Sequence, residues 1–63
     1  MEYESICIFL PLGRTNTFKN VTILCDNESV IQFSYKAMSD GKLKTATFLK
    51  SIIAGWSLTE KEV

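Results

Sequence analysis

A chain of 63 residues with no net formal charge, 46% hydrophobic and 22% charged, is one small domain. The composition excludes disorder, which needs few apolar residues and high net charge. The zero balance excludes a strong global field for nucleic acid or anionic membrane, and with it a DNA mimic.

The opening stretch, Met1 to Gly13, holds an apolar run, but Glu2 and Glu4 stand where a secretory signal carries Lys or Arg. The run is short and ends at Pro11. The expectation is no signal peptide, no membrane span and a cytosolic home. From Tyr3 to Leu10 the pattern predicts a strand. Ile6, Ile8 and Leu10 fall on one face, and Ser5, Cys7 and Phe9 on the other. Both faces are largely apolar, as in a strand covered on two sides.

"PLGRTN", Pro11 to Asn16, reads as a loop. It has one Gly and no Gly-Lys-Ser/Thr ending, so it is not a phosphate loop. A second strand is predicted over Thr17–Cys25, with Val21, Ile23 and Cys25 opposite Asn20, Thr22 and Leu24. "CDNES", Cys25 to Ser29, gathers side chains that bond their own backbone and predicts a turn. The third strand, Val30 to Met38, alternates most cleanly: Ile31, Phe33, Tyr35 and Ala37 against Val30, Gln32, Ser34 and Lys36.

Asp40-Gly41 is a preferred pair for a two-residue type I′ hairpin. Folding there sets Phe33 opposite Phe48, and Met38 opposite Leu43. Phe33, Tyr35, Ala46 and Phe48 then share one face, and Ser34, Lys36, Thr45 and Thr47 the other. The competing reading is helical. Leu43, Ala46, Leu49, Ile53 and Trp56 recur at three- and four-residue steps, with Gly55 as a C-terminal cap. Thr45 and Thr47 are poor helix formers and speak for the hairpin. The expected fold is therefore mainly β, an antiparallel meander of four to five strands, a sheet short enough that it can close into an SH3-like or Sm-like barrel and so remove exposed edges. The alternative is α+β, a hairpin followed by a helix over residues 43–56.

No nucleophile–base pair is legible, and the chain has no histidine. Catalysis is not expected, and no cofactor or metal is. Two cysteines, Cys7 and Cys25, are too few for a zinc set without His; they read as reduced, buried thiols, with a Cys7–Cys25 bridge between neighbouring strands as the alternative. Lys36, Lys42 and Lys44 cluster about Asp40. With Tyr35 they suggest a phosphate-contacting finger for nucleic acid, or a lysine-guarded strand edge. Phe9, Met38, Leu43 and Trp56 are the candidate partner contacts, because so short a chain can hardly bury both faces of its first strand, and Trp is a typical interface anchor. The leading expectation is a non-enzymatic, self-associating module that binds another protein, as a regulator or inhibitor.

"TFKNVTI", "FSYK" and "IIAGWSL", between Thr17 and Leu58, resemble stretches of phage tail-assembly chaperones. These stretches are short and generic and assign the chain to no family. The resemblance implies the helical alternative and a chaperone-like accessory role, in keeping with small proteins of bacteria and their phages.

Overall fold

The computed structural model describes residues 1–62. Five strands form one antiparallel sheet: β1 (Glu2–Phe9), β2 (Thr15–Asp26), β3 (Val30–Lys36), β4 (Leu43–Leu49) and β5 (Gly55–Glu60). Short 3-10 turns occupy Pro11–Gly13 and Lys50–Ile52. The first four strands follow one another as a meander. β5 then crosses to pair with β1, giving the order β4-β3-β2-β1-β5.

That crossing forces the sheet to curl. The link from Leu49 to Gly55 contains one 3-10 turn, and at ~2 Å per turn residue and ~3.3 Å per extended residue it reaches about 16 Å. A flat five-stranded sheet sets its outer strands ~19 Å apart. The shortest dimension of the molecule is 21 Å, about twice the ~10 Å between stacked sheets. On the concave side lie Ile6, Ile8, Val21, Ile31 and Phe33, each at most 1% exposed. Burying each such side chain is worth ~1.5–3 kcal/mol. Tyr3, Leu10, Ile53 and Trp56 pack at its margin.

The curl stops short of the expected barrel. Among the described residues no ladder joins β4 to β5, and both remain edges. The link is tethered at each end: Lys50 N–H donates to the Ser29 carbonyl (2.8 Å), and Ala54 N–H to the Phe9 carbonyl (2.7 Å). The second of these bonds holds the start of β5 against the end of β1 rather than beside β4. The helical alternative over residues 43–56 is also overturned. β4 and β5 occupy most of that range, because Thr45 and Thr47 are β-branched and suit a pleated surface.

β2 serves two ladders with nearly separate halves. Thr15–Thr22 pairs with β1, and Thr22–Asp26 with β3. Within the β1-paired half, Asn20 adopts a left-handed φ of 54°, a conformation that Asn tolerates better than most residues. It switches the parity of the strand. Phe18 joins the core face two positions before the switch, and Val21 and Ile23 after it. A register shift between Ile23 and Cys25 sets Cys25 opposite Gln32, off the face expected for it. Both cysteines are free thiols. No helix among the described residues is long and apolar enough to cross a membrane.

Candidate functional site: the fork between β2 and β3

Because the ladder of β2 with β3 begins only at Thr22, the first half of β2 and the tip of the β3–β4 hairpin diverge. Between them lies an open cleft of about 330 Å³. Thr17 and Phe18 form one wall; Tyr35, Lys36, Met38 and Lys44 form the other. Its floor is aromatic. The Phe18 ring meets Tyr35 edge-on at 4.7 Å between centroids, and Phe33 at 5.2 Å. Phe48 stacks on Phe33 at 6.1 Å with an interplanar angle of 13°. The four rings form one continuous cluster whose geometry favours edge-to-face and stacked contacts.

The hairpin tip differs from the expected two-residue turn. Only Gly41 has positive φ, 69°, and Asp40 does not, whereas type I′ needs both. The tip is instead a four-residue loop, Met38–Gly41. Ala37 N–H donates to the Lys42 carbonyl, and Gly41 N–H to the Ala37 carbonyl, both at 2.9 Å. An Asp40 carboxylate oxygen accepts the Lys42 N–H at 2.9 Å. The ladder consequently slips by two: Phe33 lies opposite Ala46, Ile31 opposite Phe48, and Lys36 opposite Leu43. A slip of two preserves the faces, so the predicted gathering of Phe33, Tyr35, Ala46 and Phe48 stands. The predicted Met38–Leu43 pair does not form. Met38 rides in the loop, 87% exposed, and Leu43 starts β4, 75% exposed.

Of the three tip lysines, Lys44 is paired to Asp40 at 3.4 Å. Among the described residues Lys36 and Lys42 have no ion-pair partner. The Lys42 backbone N–H, with Lys44 alongside, holds the Asp40 carboxyl below the usual aspartate range. The cleft thus presents one uncommitted cation, Lys36, a neutralised Asp–Lys pair, an aromatic floor and an exposed thioether at its lip, and Lys42 is not part of its lining.

No family model, no curated protein and no solved structure matches the chain.

The other candidate contacts lie apart from the cleft. Phe9 is on the outer face of β1, its Cδ2 3.5 Å from where a β-carbon on Gly55 would stand. Trp56 lies opposite Ile8 and packs against the core, with the Lys50 ammonium 5.0 Å from its ring centroid. Lys50 also pairs with Asp26, so it fastens the Lys50–Ile52 turn rather than the tip. Phe18 was invisible to strand alternation, which puts it on the polar side of β2. The clue is Asn20 in a strand interior, between an aromatic at 18 and a valine at 21 that both need the core. Among the described residues no cluster of His, Cys, Asp and Glu could hold a metal.

Proposed function

We propose that the chain is a non-enzymatic interaction module that self-associates and regulates or inhibits another protein, which it grips in the β2–β3 cleft through an extended acidic segment carrying one apolar side chain. The observation that carries this reading is the cleft itself: an aromatic floor between Phe18 and Tyr35, flanked by Lys36 and Lys44 and lipped by Met38. Lys36, which has no ion-pair partner among the described residues, favours a carboxylate on the partner, and Met adapts to varied apolar side chains. Bacterial and phage accessory proteins are the setting in which so small a regulator is at home.

The lysines support a second reading, nucleic-acid binding through Lys36, Lys42, Lys44 and Tyr35. Two observations weigh against it. Tyr35 spends its ring on Phe18 and not on a base, and Lys44 is already neutralised by Asp40. The chaperone-like reading needs a helical C-terminal half, which residues 43–60 do not supply.

Selection from a random peptide library tests the proposal. Binders should carry Asp or Glu on both sides of a Leu, Ile or Phe, and should shift the amide resonances of Phe18, Lys36 and Met38. Lys36→Glu should weaken them at least tenfold. Single-stranded DNA or RNA binding that falls steeply with salt, with no peptide selected, would establish the second reading instead.

A further inference from the structure

The edge strand β4 reads Leu43-Lys44-Thr45-Ala46-Thr47-Phe48-Leu49. About Ala46 it is nearly a palindrome: Thr faces Thr, and Leu faces Leu. Its register with β3 runs through seven pairs without a shift, so the edge has no bulge. It has no proline, and its one charge, Lys44, is tied to Asp40. The devices by which proteins usually guard an edge are absent from its outer row.

The hydrogen-bonding parity of β4 is fixed from both ends. Ala37 N–H donates to the Lys42 carbonyl, and Lys50 N–H to the Ser29 carbonyl, both in the ladder's own register. Residues 42 and 50 therefore point toward β3. By alternation Leu43, Thr45, Thr47 and Leu49 turn their N–H and C=O groups outward. Their side chains share the sheet's outer face, where Leu43 is 75% and Leu49 51% exposed.

We propose that β4 is a dimerisation edge, pairing antiparallel with β4 of a second copy about a two-fold axis at Ala46. This rests on the self-association in the function proposed above and names its surface. The outward groups meet in register. Thr45 exchanges backbone bonds with the partner copy's Thr47, and Leu43 with its Leu49, about eight bonds in all. The exposed leucines cover one another, and Thr–Thr neighbours are a favourable cross-strand pair. Ala46 sits on the axis in a non-hydrogen-bonded pair, where α-carbons approach to ~4.5 Å and its small side chain meets its own copy without crowding. The result is one continuous sheet of ten strands. An edge of seven residues buries less than the ~800 Å² per partner of a standard interface. The dimer is accordingly a weak one, with a dissociation constant on the order of tens of micromolar. β5 fits the role less well, since its ladder with β1 is broken by a register shift between Tyr3 and Ser5.

Analytical ultracentrifugation over a concentration series should show a monomer–dimer equilibrium. Thr45→Pro removes an N–H that points outward and leaves the ladder with β3 intact. It should raise the dissociation constant at least tenfold while the circular dichroism stays that of the native sheet. In a Cys7→Ser, Cys25→Ser background, Ala46→Cys should give a covalent dimer under mild oxidation, because the axial pair lies within disulfide reach. This second arm decides the matter if Thr45→Pro fails to fold. A chain monomeric at about 1 mM, or a dimer that Thr45→Pro leaves intact and Ala46→Cys does not cross-link, would overturn the assignment. The cleft is tested separately: folded, monomeric Thr45→Pro should still bind the selected acidic peptides, so loss of the dimer and failure of the cleft are distinguishable.

Discussion

Phe18 and Tyr35 touch, ring edge to ring face at 4.7 Å, at a level where their strands share no ladder. That contact marks the fork in the sheet. Below it β2 and β3 are bonded neighbours, and above it they part to make the cleft. There the Phe18 ring spans the fork through contacts with Tyr35, Phe33 and Phe48 rather than through ladder bonds. The same pair links the core, through Phe33 and Phe48, to the most exposed loop of the hairpin.

Replacing Phe18 by Ala should cost about 2–3 kcal/mol, somewhat under the usual value for a fully buried ring because this one is half-buried. A domain of this size has roughly 3–9 kcal/mol to lose. Urea denaturation should show the midpoint falling steeply. A midpoint unchanged from wild type would mean that the ring does not hold the fork.

Asn20 sets the parity on which that placement depends. At φ 54° a glycine is at ease, whereas a β-branched side chain is strained by about 1–2 kcal/mol. Asn20→Gly should leave stability within ~0.5 kcal/mol of wild type, and Asn20→Val should lose about 1–2 kcal/mol. Equal stabilities for the two variants would place residue 20 in ordinary extended backbone.

How legible was this architecture in the sequence? Strands 1 to 4 were, because period-two alternation between turn residues is a local signal. Asn27 illustrates the turns: its side chain accepts the N–H groups of Ser29 and Val30 at 2.8 and 3.0 Å, as the "CDNES" cluster suggests. The tip register was misread by two because Asp-Gly fits more than one loop, and face sorting cannot tell slips of two apart. Phe18 was missed because one left-handed residue inverts parity downstream. The path of β5 to β1 was hidden because it depends on curl, a property of the whole sheet. Of the named contacts, the structure gathers Tyr35, Lys36, Met38 and Lys44 around the cleft, with Leu43 at the adjoining edge. Phe9 and Trp56 lie elsewhere.

Leu12 is a second backbone outlier, and an unhelpful one. It sits at φ 67° in the Pro11–Gly13 turn with 98% of its surface exposed, so no burial offsets the strain of a leucine in that conformation. Leu12→Asn should stabilise the fold by about 0.5–1 kcal/mol. In a domain this small that is a rise of roughly 2–8 °C in Tm, readable by thermal melting. A fall in Tm would show that the leucine packs on something in solution.

Asp40 gives the hairpin tip a pH dependence of definite sign. Its carboxyl is held below the ordinary aspartate value, first by the Lys42 N–H and further by Lys44, against an opposing desolvation. A depressed folded value means that the contribution to stability is complete above the unfolded value. It is lost as pH falls through the folded one. Acidification through the folded value of Asp40 therefore loosens the loop. In an NMR titration the Asp40 carboxyl should have a midpoint below that of an unstructured aspartate. The Lys42 amide shift should follow the same curve, because it donates to that oxygen at 2.9 Å. Asp40→Asn should flatten the Lys42 curve and release the Lys44 ammonium. An ordinary midpoint at Asp40, or a Lys42 amide that ignores it, would mean that the loop is held by Gly41 and the backbone bonds of Ala37 alone.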